Sequence, residues 1–177
     1  MPLVTEEQKE KQESTFLKYE ADNVLEILSN LYKIDAHYIK SSNKFVACLG
    51  KECGFCKAGN PKHLEFNYWV KLNGTEGIMN IKPSVFYSIN EIERASKKDK
   101  RSISWLVLKS GSGLNTEYTV SKNENLDKTL SEEQLEVNNK KLSKVMLQKE
   151  DQLNKSYREM VIQIDPNDIP DPEEENA

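Results

Sequence analysis

LEFNYWVKLNGTEGIMNIK, residues 64–82, carries the pattern from which the rest of the chain is read. In its first half Phe66, Tyr68, Val70 and Leu72 alternate with Glu65, Asn67, Trp69 and Lys71, which makes one face of an extended strand apolar and the other polar. Asn73-Gly74 then predicts a two-residue hairpin turn, because a type I′ turn needs positive φ at both central positions. GIMNIK is the returning strand. Upstream, NVLEILS, YKIDAHYIK and NKFVACLG are short runs rich in Val, Ile, Phe and Tyr and bounded by Asn, Ser or Gly, which reads as strands. The first of them also fits a short helix, since Val24, Leu25, Ile27 and Leu28 fall on one helical face. Downstream, SISWLVLKS and NTEYTVSK are strands joined by GSGL, whose glycines suit a tight turn. One helix interrupts the series: Pro83-Ser84 opens VFYSINEIERASKK, with Ser84 as N-cap and Val85, Ile89 and Ile92 on one stripe. A mainly β body of about 100 residues with one short helix predicts a small closed or nearly closed β-barrel, since closure removes exposed strand edges.

The chain has 177 residues, 37% hydrophobic and 31% charged, a lean apolar content that implies a modest core with polar appendages. Its net charge of −4 conceals a division. Residues 30–120 carry 14 Lys/Arg against 8 Asp/Glu, whereas residues 121–177 carry 8 against 14. A basic body joined to an acidic tail points toward nucleic acid. No apolar run approaches the roughly 18 residues that span a bilayer, so no membrane association is expected. MPLVTEEQKEKQEST mixes acids and bases and does not read as a secretory signal, so an intracellular location is expected.

All three cysteines fall in CLGKECGFCKAG, residues 48–59. In a reducing compartment an odd, clustered set argues for metal rather than disulfides. Cys53 and Cys56 have the knuckle spacing of a zinc site, Gly54 is read as relieving the tight turn between them, and Cys48 adds a third thiolate. A structural Zn2+ takes four ligands, and histidine is the usual complement to three cysteines. Spacing leaves two choices: His37, eleven residues before Cys48, and His63, seven after Cys56. No GxxxxGK[ST], GxSxG or HExxH is present and the chain has only two histidines, so enzymatic activity is not expected.

The order His37…Cys48-x4-Cys53-x2-Cys56 with the text CLGKECGFCKAG resembles the zinc subdomain of the bacteriophage single-stranded DNA-binding proteins of the T-even helix-destabilising type. WLVLKSGSGLNTEYTV is similar to the strand–GxGL-(N/D)T-x-Y-x-V–strand of the same family, in the same order along the chain. The resemblance covers residues 24–121, although this chain is much shorter than the prototype and its first cysteine interval differs. It implies an OB-like barrel with an inserted zinc-binding loop, and it favours His37 over His63 as the fourth ligand.

Single-stranded DNA needs cations for its phosphates and flat side chains for its bases. Tyr38, Lys40, Lys57, Trp69, Lys71 and Lys109 are the expected contacts, with Trp69 the leading base-stacking residue because it falls on the polar face of its strand. Covering by the C-terminal helix is the competing fate for Trp69. Phe66, Tyr68 and Trp105 are expected in the core, Phe55 over the metal, and KKDKR at 97–101 either on phosphate or at a solvated helix end.

The expected organisation is an N-terminal arm over 1–22, a zinc-containing OB-like domain over 23–122, a helix over 131–162 and a disordered acidic tail over 163–177. Ser131 and Gln134 form a capping box for that helix, whose narrow apolar stripe either lies on the domain or pairs with a second copy. DPNDIPDPEEENA, with six acids and no base, would recruit replication or recombination proteins and compete with phosphate for the basic body. The rival reading is a phage zinc-ribbon factor that docks on a protein such as RNA polymerase.

Overall fold

A computed structural model of the chain describes residues 16–96, 103–124 and 129–163. KKDKR, the start of the N-terminal arm and the acidic tail lie outside the described residues. Among the described residues there are seven strands: β1 (Asp22–Ile27), β2 (Tyr32–Ile39), β3 (Lys44–Ala47), β4 (Lys62–Leu72), β5 (Thr75–Ile81), β6 (Ser104–Ser110) and β7 (Glu117–Lys122). The helices are a single turn α1 (Gly54–Lys57), then α2 (Pro83–Ser96) and α3 (Glu132–Gln163). The sheet runs β3-β2-β4-β1-β6-β7, with β5 pairing to β4. It is open: β3 and β7 end the order, so the closure expected from the strand pattern is not seen among the described residues. The run at Val24 is a strand, because it is paired on both edges, to β4 and to β6. No helix among the described residues is long and apolar enough to cross a membrane.

The chain divides into two compact units, residues 1–34 with 64–146, and residues 35–63 with 147–177. In the first, the β4–β5 hairpin pairs from Phe66↔Ile81 to Leu72↔Thr75 across the Asn73-Gly74 turn. Both turn residues have positive φ, 48° and 89°, as the dipeptide predicts. Phe66, Tyr68, Val70 and Leu72 are buried with Leu25, Met79, Ile81, Val85, Trp105 and Val107 in one core. Each such side chain contributes about 1.5–3 kcal/mol of transfer free energy. Helix α2 lays Val85 and Ile89 into this core and stacks Phe86 on Phe66 at 4.0 Å. It begins at Pro83 rather than at a Ser84 cap, since proline suits the first helical position, where its missing N–H is not needed.

The polar face of β4 is covered too, which its alternation does not announce. Asn67 and Ile78 are both fully buried on that side. Residues 132–146 of α3 contribute Leu142 and Met146, also buried. The helix is capped as expected, Gln134 N donating to Ser131 Oγ at 3.2 Å and Ser131 N to Gln134 Oε1 at 3.5 Å. It is fastened by Asn138 Nδ2 to the Leu28 carbonyl and by the Asn30 N–H to Asn139 Oδ1, each at 2.8 Å.

The turn between β6 and β7 is the most demanding backbone position. Gly111 has φ of +77°, and a Cβ there would meet the Asn115 carbonyl oxygen at 2.1 Å. Gly74 has φ of +89° with open space around it. Gly111→Ala should therefore lower unfolding free energy by about 2 kcal/mol or more, and Gly74→Ala by about 1 kcal/mol, in urea denaturation of the two variants.

Candidate metal centre

The second unit is built on the β2–β3 hairpin, in which His37 faces Val46 and Tyr38 faces Phe45. Alternation along β2 therefore sends the imidazole and the phenol to opposite sides. His37 is fully buried, whereas Tyr38 is 41% exposed. After β3 the chain is held by the Cys48 N–H on the Asp35 carbonyl, makes a 3-10 turn over Gly50–Glu52 and enters α1. Gly50, with φ of +70°, takes the strained position. Gly54 does not: its φ is ordinary, and its backbone N–H donates to the Tyr157 hydroxyl at 3.3 Å. The knuckle glycine thus does not take a positive φ, and a Cβ there would meet the Tyr157 hydroxyl at an ordinary contact of 3.7 Å.

This path brings one nitrogen and three sulfurs together, all within 4.8 Å of one another. Cys53 Sγ and Cys56 Sγ lie 3.4 and 3.3 Å from His37 Nε2, and Cys48 Sγ lies 3.5 Å from Cys56 Sγ. Tetrahedral ligation with metal–sulfur bonds near 2.3 Å and a metal–nitrogen bond near 2.0 Å gives edges of about 3.5–3.8 Å. The four groups are positioned to hold one metal ion such as zinc, with every corner filled by protein. His37 Nδ1 lies 3.1 Å from Asn60 Oδ1 and 3.2 Å from the Pro61 carbonyl. Both are acceptors, so Nδ1 carries the proton and Nε2 presents its lone pair to the centre.

The thiols are electrostatically unequal. Burial opposes ionisation of Cys53, but backbone hydrogen bonds from Leu49, Cys56 and Phe55 together outweigh it and lower its pKa to about 7. Cys56 is pushed up to about 11, first by burial and then by the neighbouring Cys48 and Cys53 thiols. One thiolate forms easily; further negative charge beside it needs a cation. Phe55 lies 5.8 Å from the His37 ring and edge-on to Tyr157 at 5.4 Å. His63, the other candidate ligand, is exposed and sits 5.0 Å from the Phe45 ring.

The six expected DNA contacts are divided between the two units. Tyr38, Lys40 and Lys57 belong to the second unit and are exposed. Trp69, Lys71 and Lys109 belong to the first, where register puts Trp69 and Lys71 on one face of the sheet and Lys109 on the other. Lys71 pairs with Glu26, which pairs with Ser104, whereas Lys109 follows Trp105 and Val107 onto the core face beside Tyr118. Trp69 is half-buried, with Lys141 Nζ 5.4 Å over its ring and its Nε1 donating to Glu76 at 3.2 Å. A base stacking on the face under Lys141 would have to displace it, and Lys71 is flanked across the sheet by Glu26 and Glu76. The exposed pair Tyr38–Phe45, rings 5.1 Å apart, is the feature that residue-by-residue reading passed over; the hairpin register was its signal.

Comparison with protein-family models, curated proteins and solved structures finds no match to this chain.

His37→Ala should reduce bound metal from about one equivalent per chain to a small fraction and lower the melting temperature. His63→Ala should keep the metal. Metal release into a chromogenic chelator, with thermal melts of both variants, checks this.

Proposed function

We propose that this protein binds single-stranded DNA with little sequence preference, coating and protecting it during replication or recombination. In this reading the ion is a structural zinc, and the body is an OB-like member of the phage family that its two motifs resemble. One observation carries the proposal: β2 turns His37 inward to the thiols, while its outward residue Tyr38 and Lys40 in the turn that follows stay exposed. The metal that orders this hairpin therefore fixes the position of an exposed ring and the cation beside it. The setting is basic, residues 35–63 carrying five lysines against two acids, which supplies the sequence-independent attraction that phosphate binding needs. Short antiparallel strands with α2 between β5 and β6 agree with an OB-like body.

The acidic residues 165–177 are the natural handle for replication or recombination partners. Self-association through residues 131–162 would use exposed side chains such as Val137, 52% exposed, because Leu142, Met146 and Leu153 are buried within the chain. A second reading, a zinc-stabilised module that docks on a partner protein, is favoured by Leu106, Leu108 and Leu114 standing 36%, 49% and 105% exposed.

Anisotropy of labelled oligo(dT) titrated with the full chain separates the two. Tight binding that weakens as salt rises, is retained on mixed sequences and exceeds binding to duplex of the same length supports the first reading. No binding at low salt overturns it.

A further inference from the structure

The rings of Tyr38, Phe45 and His63 form an unbroken row across β2, β3 and the start of β4, with centroids 5.1 and 5.0 Å apart. Tyr38 and Phe45 are each 41% exposed, and His63 is exposed as well. The Tyr38 hydroxyl donates to Asn43 in the β2–β3 turn, which holds that ring in place. Aromatic side chains normally bury their area, so three in contact at a surface mark a place where something flat is received. Successive planes are tilted by 54° and 46°, so the row presents faces at changing angles. Splayed bases of a single strand can follow such a row; bases locked in a duplex stack cannot.

Phe45 also forms one wall of a groove of about 420 Å³, within the range of small-ligand sites. Lys44 shares that wall, and the opposite wall is the second half of α3, with Lys149, Gln152, Lys155 and Glu159. Leu153, 8% exposed, closes the floor. Three lysines face one carboxylate, Glu159, which lies 4.0 Å from Lys155 at the solvent-exposed rim. The groove is thus cationic along its length and ends on an aromatic row. That is the pairing a nucleotide chain demands: phosphates to one side, bases to the other.

We infer that the row Tyr38–Phe45–His63 is the base-stacking platform of this protein and that Lys44, Lys149 and Lys155 form its phosphate track, with Phe45 the central stacking residue. The inference rests on the single-stranded DNA reading above, and it assigns the second half of α3 to nucleic acid. Trp69 has no part in it.

The test uses the full chain, labelled oligo(dT) and a salt series, with metal content and melting temperature recorded for every variant. Phe45→Ala should weaken binding by about 5- to 100-fold, the effect of losing one base–aromatic stack. Phe45→Trp should restore affinity, and the new indole should be quenched when oligo(dT) binds. The double change Lys149→Ala and Lys155→Ala should make the slope of log affinity against log salt shallower by roughly 1 to 1.5. If the unaltered chain fails to bind oligo(dT) at low salt, the functional reading itself falls. If it binds but Phe45→Ala and the double lysine variant bind equally well, or the Phe45→Trp indole is not quenched at saturation, the platform is overturned and the function stands.

Discussion

Residues 35–63 bury Ala36, Val46, Ala47 and Cys53 and no larger apolar side chain. That is too little apolar area to offset the ordering of about 30 residues, since segments this short rarely hold a shape without a metal or a disulfide. Everything else in the second unit depends on meeting this constraint. The hairpin, the 3-10 turn and α1 bring four ligand atoms within 4.8 Å, and an ion bound among them would supply what the missing core does not. The hydrogen bonds from His37 to Asn60 and Pro61 extend the same anchoring into the segment that leads to β4.

The first unit solves its problem by ordinary means, with β4 at the centre. Its apolar face meets β1, β6 and α2, and its polar face lies under α3. The cost of covering a face written for water is visible at Asn67, whose side-chain oxygen and nitrogen are both buried without a partner among the described residues. Such a group typically costs about 1–3 kcal/mol, against which stands the burial of Ile78 on the same face.

What could be read from the sequence follows from how local each determinant is. The Asn-Gly turn, the apolar face of β4 and the Ser131–Gln134 cap rest on neighbours within a few residues, and each is found where its residues predict. The three cysteines identified themselves by spacing, but the fourth ligand did not, because both histidines are near in sequence and only the path of β2 distinguishes them. Trp69 could not be judged from its own strand, since the lysine over its ring is 72 positions further on. Nothing local distinguishes Lys71 from Lys109, yet register places them on opposite faces. Closure of the sheet depends on pairing of its end strands, which strand count and length do not specify.

The close approach of Cys48 and Cys56 has a chemical side beyond ligation. Their sulfurs are 3.5 Å apart, a short movement from the roughly 2.05 Å of a disulfide. While an ion holds both as ligands, neither is available for oxidation. Once it leaves, an oxidant can join them, and the joined pair no longer offers two thiolates to a returning ion. Loss of an ion bound here would therefore carry a redox consequence: depletion under reducing conditions would be repairable, whereas the same depletion in oxidising surroundings would turn an empty site into a covalent lock.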